Sequence, residues 1–94
     1  MIKRTALCFV AYYPTSELVA SIQLGLSEGY AVYVYDNTPN GDDRLNTIQS
    51  PDIVRLGSGK NEGMGIALNE VIQQIAAEKH TYALYFDQDT LFTA

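Results

Sequence analysis

Two carboxylates near the end of the chain are the strongest candidates for chemistry. Asp87 and Asp89 are separated by one residue and follow the apolar and aromatic run 82–86. In an extended or tightly turned segment, residues two apart point to the same side, so both carboxylates can reach one hard cation. Two carboxylates are too few for a closed cage, and they suit Mg²⁺ or Mn²⁺ completed by water and by substrate phosphates. The alternative is an acidic surface turn that binds nothing.

A glycine-rich stretch at 57–65 is the second candidate. It holds four glycines in nine residues, which lets a backbone pass close to a ligand or adopt positive φ angles. It is not a dinucleotide-binding fingerprint, because Glu62 stands where the third glycine belongs. It is not a Walker loop either, because Val54 replaces the first glycine and Asn61 replaces the Ser or Thr that binds metal.

The charge balance narrows the class of ligand. The chain has 94 residues, 47% of them hydrophobic, a net charge of −5 and only six Lys and Arg, which are scattered. A nucleic-acid surface needs clustered basic residues, so we expect no nucleic-acid partner. An anionic ligand would have to be held by backbone N–H groups, a few local bases or a metal ion.

The single cysteine, Cys8, excludes an intrachain disulfide. It lies in an apolar segment, which predicts an inert core thiol and a reduced, cytoplasmic setting. The apolar run that follows the first basic residues is short and lacks a small-residue cleavage site, so we expect no signal peptide. No segment approaches the length of a transmembrane helix, although peripheral membrane association stays open.

Hydrophobic periodicity places these candidates on a framework of alternating strands and helices. Strands are predicted at 5–11, 30–35, 52–56 and 82–86, and helices at about 16–28, 42–49 and 63–78. The pattern predicts one α/β domain over 1–94: a Rossmann-like open parallel sheet of order 3-2-1-4 with helices on both faces. The unbroken apolar run at 82–86 predicts a strand buried on both faces.

Four polar or aromatic segments fall at the carboxyl edge of that sheet, where open α/β sheets bind ligands. They are 12–13, 36–37, 57–61 and 87–89. Together they offer an aromatic platform, a carboxylate able to accept from a base N–H, a glycine loop before a helix, and a metal pair. This set suits a nucleoside diphosphate.

The same segments carry a resemblance to a known family. Val10–Pro14 is similar to Val-Thr-Tyr-Asn-Pro, Tyr35–Asn37 to Val-Asp-Asn, Asn61–Asn69 to Asn-x-Gly-x-Gly-x-Ala-x-Asn, and Asp87–Thr90 to Asp-Gln-Asp-Ser/Thr. Four motifs in this order and spacing resemble the N-terminal half of family 2 glycosyltransferases of the GT-A fold, in particular the rhamnosyltransferase-like branch.

The resemblance implies a donor site for a dTDP- or UDP-linked sugar that would be transferred to a glycan or lipid-linked acceptor. Tyr12 would lie near the base, Asp36 would accept from the base N–H, and Asn61 would shape the adjoining wall. Asp87 would reach the donor and, with Asp89, a bound Mn²⁺ or Mg²⁺.

The chain departs from the family pattern in two ways. Ala11 and Tyr13 replace the family's Thr and Asn, so the identity of the nucleotide stays open. The acceptor half and the catalytic base of the family would lie beyond Asp89, so we expect little or no transferase activity from these 94 residues alone. Strand 82–86 would then be a sheet edge, which predicts association of copies through it.

Two other functions compete with a donor site. A non-catalytic α/β association module would use its exposed edge and leave its carboxylates as surface turns. A nucleotidyltransferase shares a related sheet and metal pair, but commonly has a glycine-rich basic loop after its first strand. Tyr12-Tyr13-Pro14 stands there instead, which disfavours that function.

Overall fold

The computed structural model describes residues 5–86. Within them the chain alternates strands and helices, in the order β1 (Thr5–Ala11), α1 (Ser16–Ser27), β2 (Ala31–Asp36), α2 (Asp43–Asn46), β3 (Ile53–Leu56), α3 (Met64–Ala77) and β4 (Tyr82–Phe86). The four strands form one parallel sheet of order β3-β2-β1-β4. The predicted α/β class, the parallel sheet and its strand order are confirmed.

The two faces of the sheet bury different residues because side chains alternate along each strand. One face packs Leu7, Phe9, Val32 and Val34 against α1 and the segment around α2. The other face packs a second set against α3: Ala6, Cys8, Val10, Tyr33, Tyr35, Ala67, Val71 and Ile75. Cys8 is 2% exposed and burial raises the pKa of its thiol to about 11, which confirms a core cysteine.

The first helix begins and ends as its sequence predicts. The Thr15 side chain accepts a hydrogen bond from the backbone N–H of Leu18 at 3.2 Å, which satisfies one of the free donors of the first turn. The chain leaves the helix through Gly29, whose φ of +92° favours glycine. The second helix is shorter than the predicted 42–49, because Asp42 caps it from outside and it ends at Asn46.

The prediction that strand 82–86 is buried on both faces is wrong. Tyr82, Leu84 and Tyr85 are exposed, and only Phe86 is half-buried, stacked on Phe9 with ring centroids 5.5 Å apart. The cause is its place in the sheet: β4 has β1 on one side and no other strand of the described chain beyond it. Helices α1 and α3 pack mainly over β1 and β2, so they leave most of β4 uncovered.

Candidate functional site at the carboxyl edge of the sheet

Hydrogen bonds from Asn37 link the segments that meet at the carboxyl edge of the sheet. Its side chain is only 4% exposed, its Oδ1 accepts from the backbone N–H of Glu62 at 3.1 Å, and its Nδ2 donates to the carbonyl of Gly63 at 3.3 Å. Its own backbone N–H donates to the carbonyl of Ala11 at 2.7 Å. One residue after β2 therefore fixes both the end of β1 and the loop that leads into α3.

Asp36, the last residue of β2, both supports this edge and remains available to a ligand. Its Oδ1 accepts from the backbone N–H of Thr38 at 2.9 Å and its Oδ2 from that of Asp42 at 2.8 Å. Each carboxylate oxygen has two acceptor sites, so each can take a further hydrogen bond. The carboxylate is half-buried and lines a cavity between α2 and strands β2 and β3.

The glycine loop lies against Asp36 because its first residue has no side chain. A Cβ on Gly57 would come within 2.7 Å of the carbonyl oxygen of Asp36, and its φ of +146° also favours glycine. The loop also contacts the β2–α2 connection, where the backbone N–H of Asn40 donates to the carbonyl of Gly59 at 2.8 Å. The glycines after β3 thus let two loops of the edge pack closely together.

Two tyrosines project from the end of β1. Tyr12 is 49% exposed and Tyr13 is 57% exposed, with their ring centroids 4.6 Å apart at an interplanar angle of 73°. Tyr13 has a φ of +46°, which is uncommon for a residue with a side chain. Its backbone N–H donates to Thr38 Oγ1 at 2.8 Å. The aromatic pair is therefore held on the edge by the loop after β2.

A cavity of about 290 Å³ opens beside Asp36, between α2 and strands β2 and β3. Val34, Leu45 and Ile53 contribute apolar walls, and Asp36 and Arg55 bring opposite charges to its lining. The remaining lining residues are Asn40, Gly41, Asn46, Leu56, Gly57 and Gly59. An apolar chamber with a few polar groups suits a small, flat molecule that carries hydrogen-bonding edges.

Arg55 is a lining residue that the sequence did not single out. Its Nε donates to the carbonyl of Leu45 at 2.9 Å and its Nη2 donates to the carbonyl of Ile48. It therefore links β3 to α2 and to the turn after α2, along one wall of the cavity. In the sequence, the feature that could have indicated this role is a charged residue in the middle of a short apolar strand.

The structure brings only some of the predicted site residues together. Tyr12 and Asp36 lie at adjoining strand ends, because Ala11 pairs with Asp36 in the sheet. Asn61 is exposed on the glycine loop, where its Oδ1 accepts from the backbone N–H of Gly63 at 2.9 Å. Asp87, predicted for the donor and the metal, lies outside the described residues, as does its metal partner Asp89.

Metal binding therefore stays a prediction that rests on the sequence. Among residues 5–86, no group of three or more His, Cys, Asp or Glu side chains is arranged to hold a metal ion. The predicted Mn²⁺ or Mg²⁺ ligands follow directly in sequence from the carboxyl end of β4, which pairs with β1 beside the tyrosine pair.

Comparison with known proteins adds no further assignment. No protein-family model, no curated protein and no solved structure matches the chain. Within the part of the chain that the structure describes, no helix is both long enough and apolar enough to cross a bilayer.

Proposed function

We propose that this chain binds a nucleoside-diphosphate sugar at the carboxyl edge of its sheet, as the donor-binding part of a cytoplasmic glycosyltransferase. The observation that carries the proposal is the position of Asn37. Its bonds join the end of β1, the end of β2 and the loop before α3, so exposed tyrosines, a half-buried carboxylate and a cavity share one edge.

Each of these groups has a distinct part in the proposed complex. Tyr12 offers a ring face on which a pyrimidine base can stack. The Asp36 carboxylate accepts a hydrogen bond from the imide N–H of uracil or thymine, beside the apolar cavity. The net charge of −5 leaves little to attract the diphosphate, so Asp87 and Asp89 would hold a Mn²⁺ or Mg²⁺ ion. That cation, when bound, neutralises charge on the diphosphate.

The test is a calorimetric or NMR titration of the protein with UDP and dTDP, each with and without Mn²⁺. We expect binding only with the metal, and Asp89→Ala to abolish that binding. Asp36→Asn replaces one carboxylate oxygen with an amide NH₂ group, and we expect it to weaken nucleotide binding by about ten- to a hundredfold, since hydrogen bonds to charged groups contribute about 1.5 to 3 kcal/mol.

Asp52→Asn is the matched control, because it removes the same charge at the amino end of β3, the opposite edge of the sheet. We expect this variant to bind as the unsubstituted protein does. If a folded chain binds neither nucleotide with Mn²⁺ present, the proposal is wrong. If Asp36→Asn and Asp52→Asn weaken binding equally, the carboxylate of Asp36 does not contact the base.

A further inference from the structure

The edge of the sheet around β4 is an exposed apolar surface that the proposed nucleotide site does not use. Tyr82, Leu84, Tyr85, Met64 and Ile72 each expose between 39% and 54% of their surface. We call these five residues the β4 surface. They come from one strand and from the helix beside it, and Tyr85 contacts Met64, with its hydroxyl 3.5 Å from the sulfur.

The β4 surface extends over both faces of the sheet. Tyr82 and Leu84 pair in register with Thr5 and Leu7, so they share the face that packs against α1. Tyr85 pairs with Cys8 on the opposite face, which packs against α3. A partner that covers this surface on both faces must therefore lie beside β4 in the plane of the sheet, as a strand of another sheet does.

Helical geometry places Ile72 on the side of α3 that looks toward β4. The buried stripe Ala67, Val71 and Ile75 faces the sheet. Glu70, which precedes Val71 by 100° and so stands on one flank of that stripe, lies near Tyr35 of β2. Ile72 follows Val71 by 100° in the other direction, so it points toward the β1 and β4 side.

The β4 surface carries no charge. Residues 82–86 include no charged residue, and the only one in α3 is Glu70, which lies near Tyr35 on the β2 side. On a chain with a net charge of −5, this is a surface where two copies can meet without like charges in contact. The same lack of cations makes it unsuitable for an anionic lipid surface or a nucleic acid.

The area of the surface fits a dimer. A large side chain buries roughly 150 to 250 Å², so five half-exposed ones offer on the order of 500 Å² per copy and about 1,000 Å² in a symmetric pair. Specific interfaces begin near that total. The strand is also self-complementary: antiparallel pairing about Leu84 would set the small Ala83 opposite the large Tyr85.

From these observations we propose that a second copy of the chain covers the β4 surface. The two copies are related by a two-fold axis, with their β4 strands antiparallel and side by side, so that the sheet continues from one copy into the other. The contact buries the tyrosines and Leu84 of each strand and the Ile72 side of each α3. The contact uses none of the residues assigned to the nucleotide site, so the inference does not depend on that site.

The test compares two substitutions on the same helix. Ile66 and Ile72 are 51% and 53% exposed, but Ile66 lies away from β4, on the far side of the buried stripe. We expect Ile72→Glu and Leu84→Glu to weaken dimerisation by about tenfold or more, because a buried unpaired charge is costly. Ile66→Glu adds the same charge and should leave the dimer intact. Sedimentation velocity measures the mass of each variant, and far-UV circular dichroism shows that it is folded.

A disulfide provides a second measurement that does not depend on destabilising the contact. Cys8 is buried, so Leu84→Cys adds one accessible thiol. Under mild oxidation we expect Leu84→Cys to form a disulfide-linked dimer and Ile66→Cys to form none. A monomer at about 100 µM of the unsubstituted chain overturns the proposal. A dimer that Ile66→Glu disrupts as strongly as Ile72→Glu overturns it as well.

Discussion

At the scale of single residues, the buried side chain of Asn37 holds the candidate site together. A buried amide is stable only when its donors and acceptor are paired, and here the backbone groups of Glu62 and Gly63 pair with it. Because those two groups belong to the loop before α3, the amide makes that loop part of the edge rather than a separate connection. The amide thus joins the loop before α3 to the edge that carries Asp36 and the aromatic pair.

Replacing Asn37 by alanine should destabilise the protein by about 1 to 3 kcal/mol, because it leaves the Glu62 N–H and the Gly63 carbonyl without that partner. Asn37→Asp should cost less than the alanine substitution, since a carboxylate still accepts from Glu62. The measurement is urea unfolding followed by circular dichroism.

Asn69→Ala is the matched control for this prediction, because Asn69 is exposed on α3. We expect its free energy of unfolding to lie within about 0.5 kcal/mol of the unsubstituted value. Equal effects at positions 37 and 69 would show that the Asn37 bonds contribute nothing to stability.

At the scale of elements, α3 is fastened to β2 at its C-terminal end. The buried Tyr33 hydroxyl donates to Glu78 Oε1 at 2.7 Å and lies 2.7 Å from His80 Nε2. His80 follows the helix and is half-buried, with its ring edge-on to Tyr33. Burial and the neighbouring carboxylate both raise the pKa of Tyr33, and the bond from Tyr33 lowers the pKa of Glu78.

This contact predicts a loss of stability in alkaline solution. The folded state holds the Tyr33 phenol neutral, whereas the unfolded chain ionises it above about pH 10. The contribution of the Tyr33 contact to the free energy of unfolding is therefore fully present below about pH 10. It is lost as the pH rises toward the higher pKa that Tyr33 has in the folded state. Tyr33→Phe should cost about 1 kcal/mol at pH 7, and its deficit relative to the unsubstituted protein should shrink above pH 10.

Urea midpoints at pH 7, 9 and 10.5 (about the range that spans a phenol pKa) measure that deficit. Tyr13→Phe removes a phenol that is 57% exposed and serves as the control. A deficit of Tyr33→Phe that stays constant across this pH range would show that the folded state does not hold the phenol neutral.

At the scale of the whole molecule, charge and apolar surface are separated. Each copy carries a net charge of −5, but the β4 surface is uncharged. Two copies in the proposed dimer repel each other through their net charge and attract through the apolar contact. Salt screens the repulsion between the net charges, because the Debye length falls from about 30 Å at 0.01 M to about 8 Å at 0.15 M. It leaves the apolar attraction nearly unchanged.

We therefore expect the dimer to dissociate less at 0.15 M than at 0.01 M salt, in sedimentation equilibrium at several protein concentrations. An interface held by ion pairs would show the reverse dependence. Tighter association at the lower salt concentration would mean that charged groups form the contact, and the β4 surface would not be its centre.

The fold was predictable from local patterns in the sequence. The apolar runs at 5–11 and 82–86, the turn residues after each strand and the helical stripe in 64–77 require alternating strands and helices. Crossovers of that length make the sheet parallel, and the preferred handedness leaves few strand orders. The position of Tyr12 and Asp36 at one edge followed from the same topology.

Only the tertiary structure decided which side chains are buried and which groups they hydrogen-bond. The composition of strand 82–86 matches a buried strand, yet its exposure depends on which neighbours cover it, and α1 and α3 lie over β1 and β2 instead. The amide of Asn37 and the guanidinium of Arg55 find their partners in loops 7 to 26 residues away, a distance that no local pattern spans. A sequence determines which residues can make a core and a site, whereas which surfaces stay open depends on how its elements pack.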